Sequence, residues 1–194
     1  VAEVADGRLR FTGTLPPGDV ARCVVLLPAD PNTRLGALGL PFLRGALETY
    51  WRAVLAKGAL VETPDPLLNN LIRSSLVRCW IAARNEAHGA RLAPWIAAMA
   101  YGPLESEAHS IIRGMDLLGH EEFARSALEF FVHRYTPEGF LTTGYTTFGT
   151  AWHLWTLGEH YAWTRDRDWL KQVAPEVARV CHWIIRQTEK TKKL

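Results

Sequence analysis

Cysteine is scarce: Cys23, Cys79 and Cys181 are the three in 194 residues, and no two stand at CxxC spacing. That excludes a disulfide framework and a cysteine-built zinc site. Cys79 and Cys181 lie in apolar helical neighbourhoods and read as reduced, packed thiols. The seven histidines never form HExxH, and GxGxxG, GxxxxGK[ST] and GxSxG are all missing, so no metal and no organic cofactor is expected. Long apolar runs are also lacking, since none reaches the ~18 residues of a membrane span. The net charge is only +2, which leaves no basic footprint for nucleic acid and no acidic tail. Neither nucleic acid nor a membrane is therefore an expected partner. The opening VAEVADGRLRF lacks a basic-then-apolar leader. It reads like the middle of a strand, so the chain is expected to be a piece of something larger. Three unpaired cysteines lean towards a reducing, cytoplasmic compartment.

What the chain does have is tryptophan. Eight of them are roughly three times the ordinary share, and indoles in such number serve wide helix packing or flat platforms for ligands. Hydrophobic residues make up 48%, enough for a packed core.

The sequence divides into three stretches. Residues 1–30 read as β-structure, with Asp6-Gly7 as a hairpin turn and 21–27 (ARCVVLL) as a further strand. Residues 31–63 form a linker rich in turn residues, with a helix over 43–57 that Gly58 ends. Residues 64–194 are helical. Asp65-Pro66 caps and starts the first helix, which carries Leu67, Leu68, Leu71, Leu76 and Trp80 on one stripe to about Asn85. Further helices are expected over 105–118, 121–135, 150–163 and 166–187, with a kink or restart at Pro175 in the last.

The connections alternate in length. Long crossings, 86–104 and 136–149, alternate with tight turns near Gly119 and Arg165. The segments LLGHEEFA and WTRDRDWL place Phe123 and Trp169 46 positions apart, a helical-hairpin period. In a stack of antiparallel hairpins the long crossings gather on one rim, where such scaffolds carry function. The fold class is thus mainly α: an incomplete α/α toroid of antiparallel hairpins with a short N-terminal β segment. The 105–118 and 150–163 helices would line the interior, with the others outside. The 150–163 helix holds a single acidic residue, Glu159, so it reads as surrounded by other helices, with Trp155 and Trp163 in the core. Unclosed helical edges could self-associate.

The rim residues point to sugar. The first crossing offers Trp95 and Tyr101 as aromatic faces and leads to Glu105 and Glu107; His109 follows Glu105 by one turn. The second offers Tyr145 and Phe148 and leads to Trp152 and His153. Saccharides present apolar C–H faces edged by hydroxyls, so a site for them needs aromatic platforms with carboxylate or amide partners. Glu105 and Glu107 also suit a helix's first turn for structural reasons alone.

The order of PDPLLNNLIRSSL, YGPLESE, IIRGMDLLGHEEFARSALEFF and FGTAWHLWTLGEHYAWTRDRDWL resembles the first half of a six-hairpin, (α/α)6-barrel glycosidase-like catalytic domain. The α-L-rhamnosidase, glucoamylase and glycogen-debranching groups have that architecture. The resemblance implies that Glu105 is a substrate-contacting acid, and that Gly149–Trp152 border the sugar site. It also implies a catalytic acid and base beyond this stretch. Glu105 and Glu107 themselves point about 200° apart on a helix, which does not suit the paired carboxyls of glycoside hydrolysis. The expected substrate-binding set is Trp95, Tyr101, Glu105, Glu107, Tyr145, Trp152 and His153, with an oligo- or polysaccharide as partner. Two rivals stand beside it. One is a non-catalytic α-solenoid that binds protein through aromatics along its helices. The other is a polysaccharide lyase of α/α-toroid type using Tyr145 and His153.

Overall fold

The computed structural model describes residues 2–22, 25, 32, 39–86, 91–95, 102–141 and 148–192. The expected strand over 21–27 lies largely outside the described residues. The chain divides into two units, Val1–Thr49 and Tyr50–Leu194, so the division falls inside the first helix.

In the first unit, strands β1 (Ala2–Ala5) and β2 (Arg8–Phe11) pair antiparallel, with Ala2 opposite Phe11 and Ala5 opposite Arg8. Asp6 and Gly7 both adopt positive φ, at 51° and 70°. That is the twist a two-residue hairpin turn requires and Asp-Gly tolerates. Helix α1 (Leu40–Leu55) begins in this unit.

The second unit is built from α2 (Pro66–Ala82), α3 (Glu105–Leu117), α4 (Glu121–Val132), α5 (Gly149–Thr164) and α6 (Arg167–Thr191). The described residues are therefore mainly helical. Asp65 caps α2 as expected, accepting from the Leu67 backbone N–H at 2.8 Å, with Pro66 in the first turn. The α2 stripe expected to be apolar core is mostly open, however. Only Leu76 is buried, while Leu67, Leu68 and Leu71 are exposed. The end of α2 also differs: the helix stops at Ala82, and β3 (Arg84–Glu86) pairs with β4 (Arg91–Ala93). The first long crossing is thus stapled at its base, and β4 packs on α4. The second crossing is pinned in a similar way by the bridge between Tyr135 and Leu141.

Helices α3 and α5 lie side by side and run parallel. Glu105 abuts Gly149, His109 meets Thr156, Arg113 pairs with Glu159 and Asp116 with His160, so the register holds along both helices. Each is followed by a helix turned back on it after a tight turn, at Gly119 (φ 78°) and Arg165 (φ 56°), 46 positions later. Helix α4 packs on both α3 and α5, and α6 on α5 and α4. The core they share holds Ile112, Met115, Phe123, Phe130, Phe131, Leu157, Trp169 and Val173. Phe123 and Trp169, the pair that defines the repeat, are both 1% exposed. Helix α6 is unbroken from Arg167 to Thr191 with Pro175 inside it, so no restart occurs there.

Helix α5 is not enclosed, contrary to its composition. Its inward side is Thr150, His153, Thr156, Leu157 and His160, whereas Trp155 is 51% and Trp163 53% exposed. Hydrogen bonding explains this: the inward polar groups find partners on α3, on α4 and in the stretch that follows α4, and the indoles are left on the outer side.

Candidate aromatic and carboxylate site at the mouth of the α3–α5 pair

Both long crossings deliver the chain to the same end of the parallel pair, because Glu105 and Gly149 open α3 and α5 and touch each other. Glu105 is 3% exposed. Its carboxylate lies where a Cβ on residue 149 would go, and glycine at that position is what admits it. Glu107 is half-buried and accepts a hydrogen bond from the Ser106 hydroxyl.

One turn along α3, His109 packs against two neighbouring indoles of α5. It stacks on Trp155 at 4.6 Å and 25°, and tilts against Trp152 at 5.0 Å. Trp152 and Trp155 lie 5.7 Å apart, and Trp152 is 37% exposed. Desolvation lowers the His109 pKa below the ordinary imidazole value; nearby Glu159 opposes that shift and Arg113 adds to it. The ring is therefore neutral at neutral pH. Beyond it, along the same seam, Arg113, Asp116, Leu117, Glu159, Ala162 and Trp163 line a recess of about 260 Å³.

Trp95 stands at the foot of the first crossing. The Arg84 guanidinium covers its ring at 3.8 Å, and Gly102 lies alongside. Its indole Nε1 is buried and makes no hydrogen bond among the described residues. One face of Trp95 is thus occupied by a cation, as one face of Trp155 is by the His109 ring.

His153 turns inward. It is 2% exposed, its Nε2–H donates to the Leu128 carbonyl at 3.2 Å, and its Nδ1 accepts from the Tyr135 hydroxyl. Both ring nitrogens are committed, so its place is in the core and not on the rim. Burial drives its pKa down to about 3 and pushes the Tyr135 hydroxyl well up. Tyr101 and Tyr145 lie outside the described residues.

Of the expected set, the structure therefore brings Glu105 and Trp152 to the starts of two adjacent helices, while Glu107 points away from Glu105 around α3. It adds Trp155, which the sequence had assigned to the core, and His109, whose one-turn spacing from Glu105 was the available signal. At the far end of the seam a buried pair, Asp116 and His160, sits beneath Trp169, with Nδ1 2.9 Å from both carboxylate oxygens. No cluster of His, Cys, Asp and Glu among the described residues could hold a metal ion. No helix among them is long and apolar enough to cross a membrane. No protein-family model, curated protein or solved structure matches this chain.

Proposed function

We propose that the α3–α5 mouth is a saccharide-binding surface belonging to a carbohydrate-active, glycoside-hydrolase-like protein. The observation that carries this reading is the solvent-facing indole pair Trp152–Trp155 packed on His109, one helical turn from Glu105, whose carboxylate meets Gly149 at the start of the same helix as the indoles. Indole faces stack on sugar C–H faces, and a carboxylate accepts from ring hydroxyls. In this reading the parallel α3 and α5 belong to the inner wall of an α/α toroid, with α4 and α6 outside. Glycosidic hydrolysis requires a carboxylic acid to protonate the leaving oxygen and a carboxylate set roughly 5–9.5 Å away. Glu105 and Glu107 diverge around their helix and do not form such a pair. In this proposal Glu105, buried against Gly149, holds the two helix starts together, Glu107 is the carboxylate left to orient substrate, and no cofactor is needed.

The test is titration of the full chain with mono- and oligosaccharides, followed by tryptophan emission. Quenching or a shift that Trp152→Ala abolishes supports the reading; emission unmoved across the panel defeats it.

A second reading draws on a specific observation. Trp152, Trp155 and Trp163 run along the α5 axis, and α2 exposes Leu67, Leu71 and Ile81. Aromatics arrayed along a helix suit a protein-binding α-solenoid, with apolar anchors in a groove. A protein partner lost on Trp155→Ala or Trp163→Ala, with silent sugar titrations, favours that reading.

A further inference from the structure

His109 is 7% exposed and packs against two neighbouring indoles. Its hydrogen-bond roles can be worked out from its neighbours. The Thr156 hydroxyl has a single proton, and it lies 2.8 Å from the Trp152 carbonyl, a group that only accepts. The Thr156 oxygen also lies 2.5 Å from Nδ1 of His109. With the hydroxyl proton directed at the Trp152 carbonyl, that oxygen accepts from Nδ1–H, and this is the tautomer the inference uses. A neutral imidazole protonated at Nδ1 carries its lone pair on Nε2. Among the described residues Nε2 of His109 makes no hydrogen bond, and it is not one of the buried polar atoms that lack a partner, so this nitrogen keeps access to solvent and to a ligand.

We propose that Nε2 of His109 accepts a hydrogen bond from a hydroxyl of a neutral sugar stacked against Trp152 and Trp155. This inference rests on the saccharide reading above and names the atom that would fix the sugar's orientation. The chemistry is selective. A lone pair beside two indoles welcomes an O–H donor and repels a carboxylate or phosphate oxygen, so the ligand class is a neutral polyol. The chain Nδ1–H to Thr156 to the Trp152 carbonyl locks the tautomer, which makes Thr156 a positioning residue.

Two measurements on the full chain test it. Nitrogen-15 spectra of labelled histidine at neutral pH should show His109 protonated at Nδ1. The Nε2 signal should then move on addition of a neutral trisaccharide from a panel of malto-, cello-, xylo- and mannotriose. His109→Asn keeps a donor for Thr156 but has no atom at the Nε2 position, and should weaken binding about tenfold, the weight of one hydrogen bond. His109→Gln places an amide oxygen there and should restore most of the affinity. A free protein protonated at Nε2, or equal affinity for His109→Asn, overturns the inference. Tryptophan emission that responds while Nε2 stays unmoved overturns this inference alone. Silence of both across the panel takes the saccharide reading down with it.

Discussion

The carboxylate of Glu105 occupies the space that a side chain on Gly149 would fill. This contact ties the first turns of two helices from different hairpins, and it fixes the register in which α3 and α5 begin.

Substitution at that contact has a defined sign. Gly149→Ala forces the Glu105 carboxylate aside and should destabilise the protein by about 1–3 kcal/mol, the usual cost of overpacking. In the Glu105→Ala background the same change should cost clearly less, because the two residues share the space. Urea denaturation of the four-member cycle measures the coupling; strict additivity would contradict the contact.

Trp152 and Trp155 should be dispensable for folding and not for binding. Exposed substitutions typically shift stability by about 0.5 kcal/mol, with somewhat more expected here because both indoles pack on His109. Loss of either platform should reduce saccharide affinity about tenfold, equivalent to about 1.4 kcal/mol. Melting curves and calorimetric titration on the same samples separate the two effects.

His153 should make stability depend on acidity. Its folded pKa is depressed to about 3 by burial, against about 6.5 for an exposed imidazole. Above pH ~6.5 the ring is neutral in both folded and unfolded chains, and its contribution is intact. As pH falls below that value the unfolded chain takes up the proton and the folded one does not, so stability drops by up to about 1.4 kcal/mol per unit until the folded pKa is reached. His153→Gln, whose amide can still donate to the Leu128 carbonyl, should be less stable at neutral pH and should lose this slope. Denaturation midpoints between neutral and mildly acid pH provide the check.

The two tight turns allow a matched comparison. Gly119 and Arg165 hold equivalent left-handed positions, but only the first is glycine. Arg165→Gly should stabilise by about 0.5–1 kcal/mol, since the strain of a Cβ in that region is removed. Gly119→Ala should destabilise by at least as much, because its Cβ would also press on Gly58 and Ala59 at 3.3 Å. Thermal melts of the two variants should move in opposite directions.

Much of this was legible beforehand. The hairpin period was visible because Phe123 and Trp169 follow similar turns, and both prove to be buried anchors. The Asp6-Gly7 turn and the Asp65-Pro66 helix start were readable because their backbone demands are local. The β3–β4 pair was not, since RNE and RLA are too short and polar to show strand alternation. The orientation of α5 was misread for a different reason. Hydropathy assigns indoles inward and Thr or His outward, but Thr156, His153 and His160 are satisfied by tertiary hydrogen bonds that one sequence does not reveal. Trp155 and Trp163 consequently moved from expected core to surface, and Trp155 became part of the candidate site.

The constant register between α3 and α5 also bears on how the chain can vary over evolutionary time. One residue inserted between His109 and Asp116 would rotate everything after it by about 100°. It would uncouple Asp116 from His160 wherever it fell, and Arg113 from Glu159 as well if it fell before Arg113. Insertions and deletions should therefore be tolerated in the stretches between β3 and β4 and between Leu141 and Phe148, while helix lengths stay fixed. New specificities could then arise by lengthening the crossings, with the parallel pair beneath them left unchanged.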